Sequence, residues 1–186
     1  GRVELTGTRV FDVSDIAGSD LSVTAQVTGA GGISKTGPGH LYLRNANTYQ
    51  GVTTVNDGQL FVDDGNALGD TAGGSVVAAG AGLVLRLGVS VGAEALTLNG
   101  TGQAPLGALA SIYGSNAWAG PITLGSDVRM TTLQADDVLH LGGAIGGGTS
   151  SLVLEGDGTV IFAGADANSY GGATRVQSGS LVLAKA

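Results

Sequence analysis

Several residue types that decide a protein's class are missing or rare in this sequence. It has no cysteine, so disulfides, thiolate metal sites and thiol catalysis are excluded. Charged residues form only 12% of the chain, and the net charge is −7. The 8 basic residues are scattered singly, which excludes a protein that binds the phosphates of nucleic acid. No run of about 18 apolar residues occurs, so we expect no transmembrane helix.

Glycine is the residue in excess. The 186 residues include 35 glycines and only 3 prolines, whereas glycine usually makes up about 7% of a protein. No Gly-X-Y period is present, which excludes collagen. The hydrophobic content of 42% argues against disorder. Glycine together with branched aliphatic residues is typical of short strands joined by tight turns, so the composition predicts an all-β protein.

Apolar residues recur with a period of two along most of the chain. The one Ala- and Leu-rich stretch, Gln103 to Ile112, carries Pro105 and Gly107, which discourage a helix. Gly, Asn, Asp or Ser punctuates nearly every gap. The pattern predicts these strands: Val3–Leu5, Arg9–Val13, Leu21–Val27, Leu41–Leu43, Thr53–Val55, Leu60–Val62, Ser75–Val77, Leu83–Leu87, Leu96–Leu98, Ile122–Leu124, Val128–Thr132, Val138–Leu141, Leu152–Leu154, Val160–Phe162, Thr174–Val176 and Leu181–Leu183.

Internal repetition favours a solenoid over a sandwich or a barrel. The motif Gly-x-[Leu/Val]-x-[Leu/Val/Phe] starts at Gly39 and again at Gly58, and in the same way at Gly158 and again at Gly179. Both spacings are close to the length of one turn of a β-solenoid. The sequence therefore predicts coils of roughly 20 residues whose strands stack in parallel.

A longer period lies over the short one. Residues 1–62 and 124–183 are two copies of one unit, in which Ile33 matches Leu152 and Gly58 matches Gly179. The residues of the second pair are farther apart in the sequence than those of the first pair. A two-residue insertion near Ala165–Asp166 accounts for this difference. We expect a single β-solenoid segment over residues 1–186, with about nine coils, as a fragment of a larger protein. The N-terminus is no signal peptide, so an exported protein with this sequence would be an interior piece.

The corners of such a coil need backbone with positive φ, which only glycine adopts without strain. Asn56-Asp57-Gly58 is expected to turn one corner, so that Thr53–Val55 and Leu60–Val62 lie on different faces of the coil. A similar corner sequence recurs in the second copy, where it contains Gly179. It therefore predicts repeated architecture and not an isolated hairpin.

A motif of Asn-x-aromatic-x-Gly precedes a strand at three places. We expect the Asn to fix a tight turn through its neighbouring backbone. The aromatic ring would cover the end of the core with its polar tip in solvent, and the glycine would start the next strand. The alternative is a sugar-stacking platform of the three aromatic residues. With the corner glycines, the motif residues are Asn47, Tyr49, Gly51, Gly58, Asn116, Trp118, Gly120, Asn168, Tyr170, Gly172 and Gly179.

These residues carry a resemblance to a known family, the autotransporter-associated β-strand repeat, also called the passenger-associated transport repeat. The second copy departs from the first where Lys35-Thr36 becomes Leu154-Glu155. The resemblance rests on Thr36-Gly37-x-Gly39-x-Leu41-x-Leu43, Asn47-Thr48-Tyr49-x-Gly51-x-Thr53-Thr54-Val55-x-x-Gly58-x-Leu60 and Asn66-Ala-Leu68-Gly69, preceded in later coils by Trp118-Ala-Gly120-Pro-Ile-Thr-Leu124 and Leu139-His-Leu-Gly-Gly-Ala-Ile145.

The resemblance implies a right-handed parallel β-helix in the passenger of an exported bacterial surface protein. Such segments are usually stalks, and the family brings no catalytic residues to this chain. It implies an extracellular location at the bacterial cell surface and a translocator barrel in the parent protein. Candidate binding partners are a host-cell glycan, a matrix protein or a second copy of the chain, without nucleic acid or membrane insertion.

Residues that could support chemistry are few. His40 and His140 fall at different phases of the long repeat, which argues against a shared metal site. Asp63-Asp64 and Asp136-Asp137 are adjacent acids, but neighbours on a strand point to opposite faces and do not converge on a substrate. We therefore expect no enzyme, no metal and no cofactor. The sequence predicts a structural stalk, and the alternative is an adhesin segment that itself binds a host ligand or self-associates.

Overall fold

The computed structural model describes residues 1–15 and 20–186, and all regular structure in them is β-strand. The predicted all-β class is therefore confirmed. No helix in the described residues is long and apolar enough to cross a membrane. In chain order the 23 strands are β1 (Arg2–Glu4), β2 (Arg9–Asp12), β3 (Leu21–Val23), β4 (Gln26–Gly29), β5 (Ile33–Thr36), β6 (His40–Leu43), β7 (Thr48–Tyr49), β8 (Thr53–Val55), β9 (Gln59–Val62), β10 (Ser75–Val77), β11 (Gly82–Arg86), β12 (Ser90–Val91), β13 (Leu96–Leu98), β14 (Leu109–Ile112), β15 (Ser115–Trp118), β16 (Ile122–Leu124), β17 (Val128–Thr132), β18 (Val138–Leu141), β19 (Ile145–Gly146), β20 (Leu152–Gly156), β21 (Thr159–Phe162), β22 (Thr174–Val176) and β23 (Ser180–Leu183).

The strands form a three-sided β-solenoid in which each strand pairs in parallel with its equivalents in adjacent coils. Face 1 has seven strands: β2, β5, β8, β10, β13, β16 and β19. Face 2 has eight: β3, β6, β9, β11, β14, β17, β20 and β22. Face 3 lies between face 2 and the next strand of face 1, and it consists of β1, β4 and β7 followed by β12, β15, β18, β21 and β23.

Inward-facing aliphatic side chains stack as ladders that run along the solenoid. On face 2 the register pairs Leu41 with Leu60 and continues through Leu83 to Leu109 and Met130, and all five side chains are buried. Burying one such side chain contributes about 1.5–3 kcal/mol. The alternation of period two thus places one apolar row inside each face. On face 2 the outer row also contains apolar residues, Phe61, Val84 and Ala110, which are buried in a second cluster with Leu106 and Ile112.

The coils average about 22 residues and number about eight. They are slightly longer and fewer than the sequence predicts, and their lengths are uneven. The step from His40 to its partner Gln59 is short, whereas the step from Ser90 to its partner Ala117 is long. The longest coil includes residues 99–108, which lie outside the strands and leave the line of the solenoid. The predicted absence of a helix over Gln103 to Ile112 is confirmed, because its end forms β14.

The predicted strands are found, with one correction and several additions. The predicted strand Leu21–Val27 is two strands, β3 on face 2 and β4 on face 3. A corner at Thr24 and Ala25 separates them without any glycine, so the apolar alternation runs across the corner unbroken. The structure adds β5, β7, β12, β14, β15 and β19. Two of these, β7 and β15, contain the aromatic residue of the Asn-x-aromatic-x-Gly motif, which the sequence assigns to a turn.

The predicted corner at Gly58 is confirmed. Its φ is 64°, and it joins β8 on face 1 to β9 on face 2. A Cβ at this position would lie 2.5 Å from the carbonyl oxygen of Gly39, so glycine is required by both conformation and space. The equivalent Gly179 has a φ of 71° and joins β22 on face 2 to β23 on face 3.

The two copies of the long repeat therefore lie on different faces. Strands β5 and β6 of the first copy belong to faces 1 and 2, whereas their equivalents β20 and β21 belong to faces 2 and 3. Along face 1, five steps lead from β5 to β19, and β20 is the next strand on the next face. The repeat from Ile33 to Leu152 thus spans five coils and one face. A unit can start on any face because its contacts are made with the coil beneath it.

Candidate functional site: the repeat motif and an outer groove

The three motif asparagines tie each coil to the preceding one. The Oδ1 atoms of Asn47 and Asn116 accept hydrogen bonds from the backbone N–H groups of Val27 and Val89, both at 2.7 Å. Asn168 Oδ1 accepts one from the N–H of Ile145 at 2.9 Å. The Oδ1 atoms therefore bond to the preceding coil and not to a local turn, so the prediction of a local turn is wrong for the contacts of these atoms. A side-chain amide extends the ladder between coils where the backbone itself turns away.

Asn47 also reaches the following coil. Its Nδ2 group donates to the carbonyl oxygen of Ala67 at 2.6 Å, so this one buried side chain links three successive coils. Asn116 differs, because its Nδ2 group donates within its own coil, to Ser111 Oγ at 2.8 Å and to the carbonyl of Ile112. Both side chains satisfy backbone groups that would otherwise be buried without a partner, an arrangement whose loss is costly.

The aromatic residues of the motif are core residues in the interior coils. Tyr49 and Trp118 are fully buried, and their polar atoms bond inside the protein: Tyr49 Oη with Thr53 Oγ1, and Trp118 Nε1 with the carbonyl of Glu94 at 2.9 Å. The predicted polar tip in solvent is therefore wrong. The alternative platform of Tyr49, Trp118 and Tyr170 is also wrong, because a buried ring cannot stack on a sugar. Tyr170, in the last coil, repeats the hydroxyl contact with Thr174 but is only half-buried.

The glycines that end the motif allow a close approach of two coils. A Cβ at Gly51 would lie 2.5 Å from the amide nitrogen of Gly32, and one at Gly120 would lie within van der Waals overlap of the Glu94 carbonyl. At Gly172 it would lie 2.3 Å from the Ser150 carbonyl oxygen. Each glycine comes two residues before a strand. The prediction that these glycines lead into the next strand is therefore confirmed. Glycine is needed at these positions because a Cβ would overlap the backbone of the adjacent coil.

A buried polar pair lies between the two buried aromatic residues. Glu94 is only 2% exposed, and its Oε1 accepts a hydrogen bond from Ser75 Oγ at 2.6 Å. Burial raises the pKa of Glu94 to about 7, against the lowering effect of the Ser75 hydrogen bond. Burial likewise raises the pKa of Tyr49. The sequence gives no sign of this pair, because Glu94 stands in an Ala- and Gly-rich stretch that resembles an exposed turn.

Lys35 is a second buried polar residue that the sequence does not reveal. Its Nζ donates to the carbonyl oxygens of Thr36, Gly37 and Asp57 at 3.0, 2.6 and 3.0 Å. Burial lowers its pKa. The group thus fastens the Gly58 corner of one coil to the coil below. In the second copy the equivalent position is Leu154, which is buried without this contact, so the corner forms without the lysine as well.

The acidic and histidine residues considered for chemistry are separated in the structure. His40 lies on face 2 and His140 on face 3. Asp137 accepts hydrogen bonds from the backbone N–H groups of Gly114 and Gln134, each at 2.9 Å, so it has a structural role. Within residues 1–15 and 20–186, no three His, Cys, Asp or Glu side chains come together as a metal site.

An aromatic and cationic cluster covers part of the outer side of face 2. The rings of Tyr42 and Phe61 are stacked, with centroids 4.6 Å apart and an angle of 14°. The guanidinium carbon of Arg86 lies 4.9 Å from the Tyr42 centroid and 5.4 Å from that of Phe61. His40 meets the Phe61 ring edge to face at 5.1 Å. These contacts hold the planar side chains in fixed positions on the outside of the solenoid.

Asp63 fixes the arginine of this cluster. Its carboxylate accepts two hydrogen bonds from the Arg86 guanidinium, from Nε and from Nη2, the latter at 2.7 Å. The hydrogen bonds to Asp63 raise the pKa of Arg86. Arg44 approaches the same carboxylate at 3.6 Å, and Asp20 faces His40 at 3.2 Å. Arg44 and Arg86 thus share the Asp63 carboxylate, and with Asp20 the two aspartates balance the two arginines in charge when His40 is neutral.

The cluster forms one side of a surface groove with a volume of about 430 Å³. The opposite side comes from the segment 99–108 of the longest coil and from the corner after β14. The sequence does not predict this groove, although the outward residues of His40-Leu-Tyr-Leu-Arg44 are unusually aromatic and charged for this chain. The lining residues are His40, Tyr42, Gln59, Phe61, Arg86, Gln103, Ala104, Pro105, Leu106, Ile112, Tyr113 and Leu133.

Comparisons with known proteins agree with the resemblance seen in the sequence. Residues 33–60 and 152–183 match the passenger-associated transport repeat, and each match lies within one copy of the long repeat. The adhesin BmaC autotransporter of Brucella suis biovar 1 (strain 1330) is 32% identical over 175 residues. The match covers 94% of this chain but 4% of that protein, so the chain spans a small part of its relative's length. No solved structure matches the chain.

The matched residues are those whose contacts join the coils. The first match contains Lys35, Asn47 and the Gly58 corner, and the second contains Asn168 and the Gly179 corner. Two regions of the chain therefore match the passenger-associated transport repeat, and together with the relative they indicate an exported protein of the cell surface.

Proposed function

We propose that this segment is a structural spacer, which holds another region of its parent passenger at a distance from the cell. The observation that carries the proposal is the eight-stranded parallel face 2, whose core ladder runs from one end of the described chain to the other. With neighbouring strands about 4.8 Å apart, its strands span about 35 Å. A segment built this way adds length in proportion to its number of coils.

The contacts of the buried polar residues support a non-enzymatic role. Asp63 is held by arginines, Asp137 by backbone N–H groups and Glu94 by Ser75. Each of these acids completes a coil or links two coils. In the parent protein the segment would stand between the translocator and whatever the passenger displays, and stacking of each coil on the one before would support folding during export.

The spacer role is tested by lengthening the segment inside the parent protein. Residues 1–151 followed by residues 33–186 add one long repeat at a junction that the chain already uses, because Ile33 is equivalent to Leu152. We expect normal surface display and a terminal epitope raised by about 25 Å, measured by super-resolution or atomic force microscopy. Unchanged epitope height on cells that display the lengthened protein would contradict the spacer role.

A second function, ligand binding by this segment, is favoured by one specific observation. A pure spacer needs only polar outer faces, yet face 2 bears the aromatic and cationic groove away from the core. The relative of this chain is named an adhesin, and we propose that the segment itself contacts a host ligand through this groove.

A further inference from the structure

Three features distinguish the groove from the rest of the solenoid surface. The first is its construction from the longest coil. On face 2 the step from Leu83 to its partner Leu109 is clearly longer than the step from His40 to Gln59. The extra residues supply Gln103, Pro105 and Leu106 as one wall of the groove. In repeat proteins, insertions of this kind place loops on one face, often the binding face.

The second feature is a difference between the two copies of the long repeat. Inward positions stay aliphatic: Leu41 corresponds to Val160, and Leu60 to Leu181. The outward positions that line the groove change in character. His40, Tyr42, Gln59 and Phe61 of the first copy correspond to Thr159, Ile161, Ser180 and Val182 of the second, and the neighbouring Arg44, outside the groove lining, corresponds to Ala163. The strands of the coil form without these side chains in the second copy, whereas in the first copy Phe61 and Tyr42 also pack in a cluster with Leu106 of the longest coil.

The third feature is an exposed aromatic residue at a corner of the coil. Tyr113 has a φ of 59°, which is unfavourable for a bulky residue, and it is 55% exposed at the edge of the groove. Leu87 occupies the equivalent corner one coil earlier, with a φ of 65° and 62% exposure, but does not line the groove. The positive φ is thus shared by both corners, and the groove differs by the exposed aromatic ring that Tyr113 adds to its edge.

The chemistry of the lining selects a class of ligand. A volume of about 430 Å³ lies within the range of about 300–1,000 Å³ found for small-molecule sites. The ring of Tyr113 offers an apolar face, and Gln59, Gln103 and Arg86 offer planar hydrogen-bonding groups. The paired arginines and aspartates leave little net charge. A pyranose has the matching surface, an apolar C–H face with hydroxyl groups around its edge, and it carries no charge.

We propose that the groove binds a neutral mono- or disaccharide unit of a glycan, with Tyr113 as a stacking residue and the glutamines and Arg86 as hydrogen-bonding residues. The saccharide assignment rests on the second proposed function, binding by this segment, and makes it specific. It is independent of the spacer role, which depends on the ladders of the core.

Two matched variants test the assignment. Tyr113→Asn removes the groove ring, and Leu87→Asn makes the same change at the equivalent corner outside the groove. Asn tolerates positive φ, so both variants should keep the circular dichroism spectrum and melting temperature of the unmodified chain. Lactose, maltose and cellobiose serve as neutral probes in saturation-transfer NMR and titration calorimetry, with sialyllactose and a proline-rich decapeptide as comparators.

We expect at least one neutral disaccharide to bind, about tenfold more weakly to Tyr113→Asn and within about twofold of the original affinity to Leu87→Asn. The assignment is overturned if no neutral disaccharide binds, if both variants bind alike, or if sialyllactose or the peptide binds in place of the neutral sugars. Binding of the chain to host cells separates the two levels. If cell binding depends on Tyr113 but no disaccharide binds, the saccharide assignment is rejected and the second function is kept. If the chain binds neither cells nor disaccharides, both the saccharide assignment and the second function are rejected.

Discussion

At the scale of single residues, the most consequential side chains are polar ones inside the core. Burial raises the pKa of Glu94 to about 7, so the folded protein keeps it neutral below that pH, while in an unfolded chain its pKa would be near the ordinary glutamate value of 4.5. Between these values the folded protein binds more protons than the unfolded one. The free energy of unfolding therefore falls as the pH rises from about 4.5 to 7, and it levels off above that range.

The Glu94→Gln variant tests this dependence. Glutamine keeps the acceptor for Ser75 and cannot ionise, so the loss of stability, on the order of 3 kcal/mol for the full shift, should disappear. Urea unfolding at pH 5 and pH 8 measures the difference. Glu4→Gln, at an exposed carboxylate, is the control and should follow the original protein at both pH values. Equal pH dependence of the Glu94→Gln variant and the original chain would show that Glu94 is not the responsible group.

At the scale of the structural element, the unit of stability is the contact between one coil and the next. Asn47→Ala removes hydrogen bonds to Val27 and Ala67 at once and leaves two buried backbone groups unpaired. We expect a loss of roughly 2–3 kcal/mol in the free energy of unfolding, measured by urea titration. Asn45→Ala, two residues earlier, removes only an exposed contact with Thr24 and should change stability by less than about 0.5 kcal/mol. Similar losses in both variants would argue against a special role of the ladder.

The elements themselves follow from local sequence, whereas their contacts do not. Strands such as β8 and β9 and the corner at Gly58 are predicted because alternation and a positive-φ residue are local signals. The Asn-x-aromatic-x-Gly motif is misread as a turn, because Asn47 bonds to groups one coil away in both directions. Which residue lies above another depends on coil length, and coil length differs from one coil to the next.

The groove escapes prediction for the same reason. Tyr42 and Phe61 stack because β6 and β9 pair in register on face 2, and this register must be known before the rings can be placed together. Pro105 and Leu106 join them only because the longest coil folds back over the outer side of the sheet. The local signal that could have been used is the run of outward aromatic and charged residues in His40-Leu-Tyr-Leu-Arg44.

At the scale of the whole molecule, length should be set by the number of long repeats. The purified chain of residues 1–151 followed by 33–186 should fold as one longer rod, because Ile33 above the junction would pair with Val128, the position equivalent to its original partner Arg9. Small-angle X-ray scattering should show a maximum dimension increased by about 25 Å with little change in the cross-section. An unchanged maximum dimension, or a second flexible body, would show that the repeat cannot be added in this way.

The offset of one face per long repeat has a consequence for how such proteins diversify. A recombination between the two copies in a gene would add or delete one long repeat and would change core contacts only at the junction, where equivalent positions meet. It would also turn all later coils by a third of a revolution about the rod. The direction in which an outer groove points is therefore set by the count of repeats below it. A lineage could reorient a recognition surface toward or away from a neighbouring cell without altering one side chain in it.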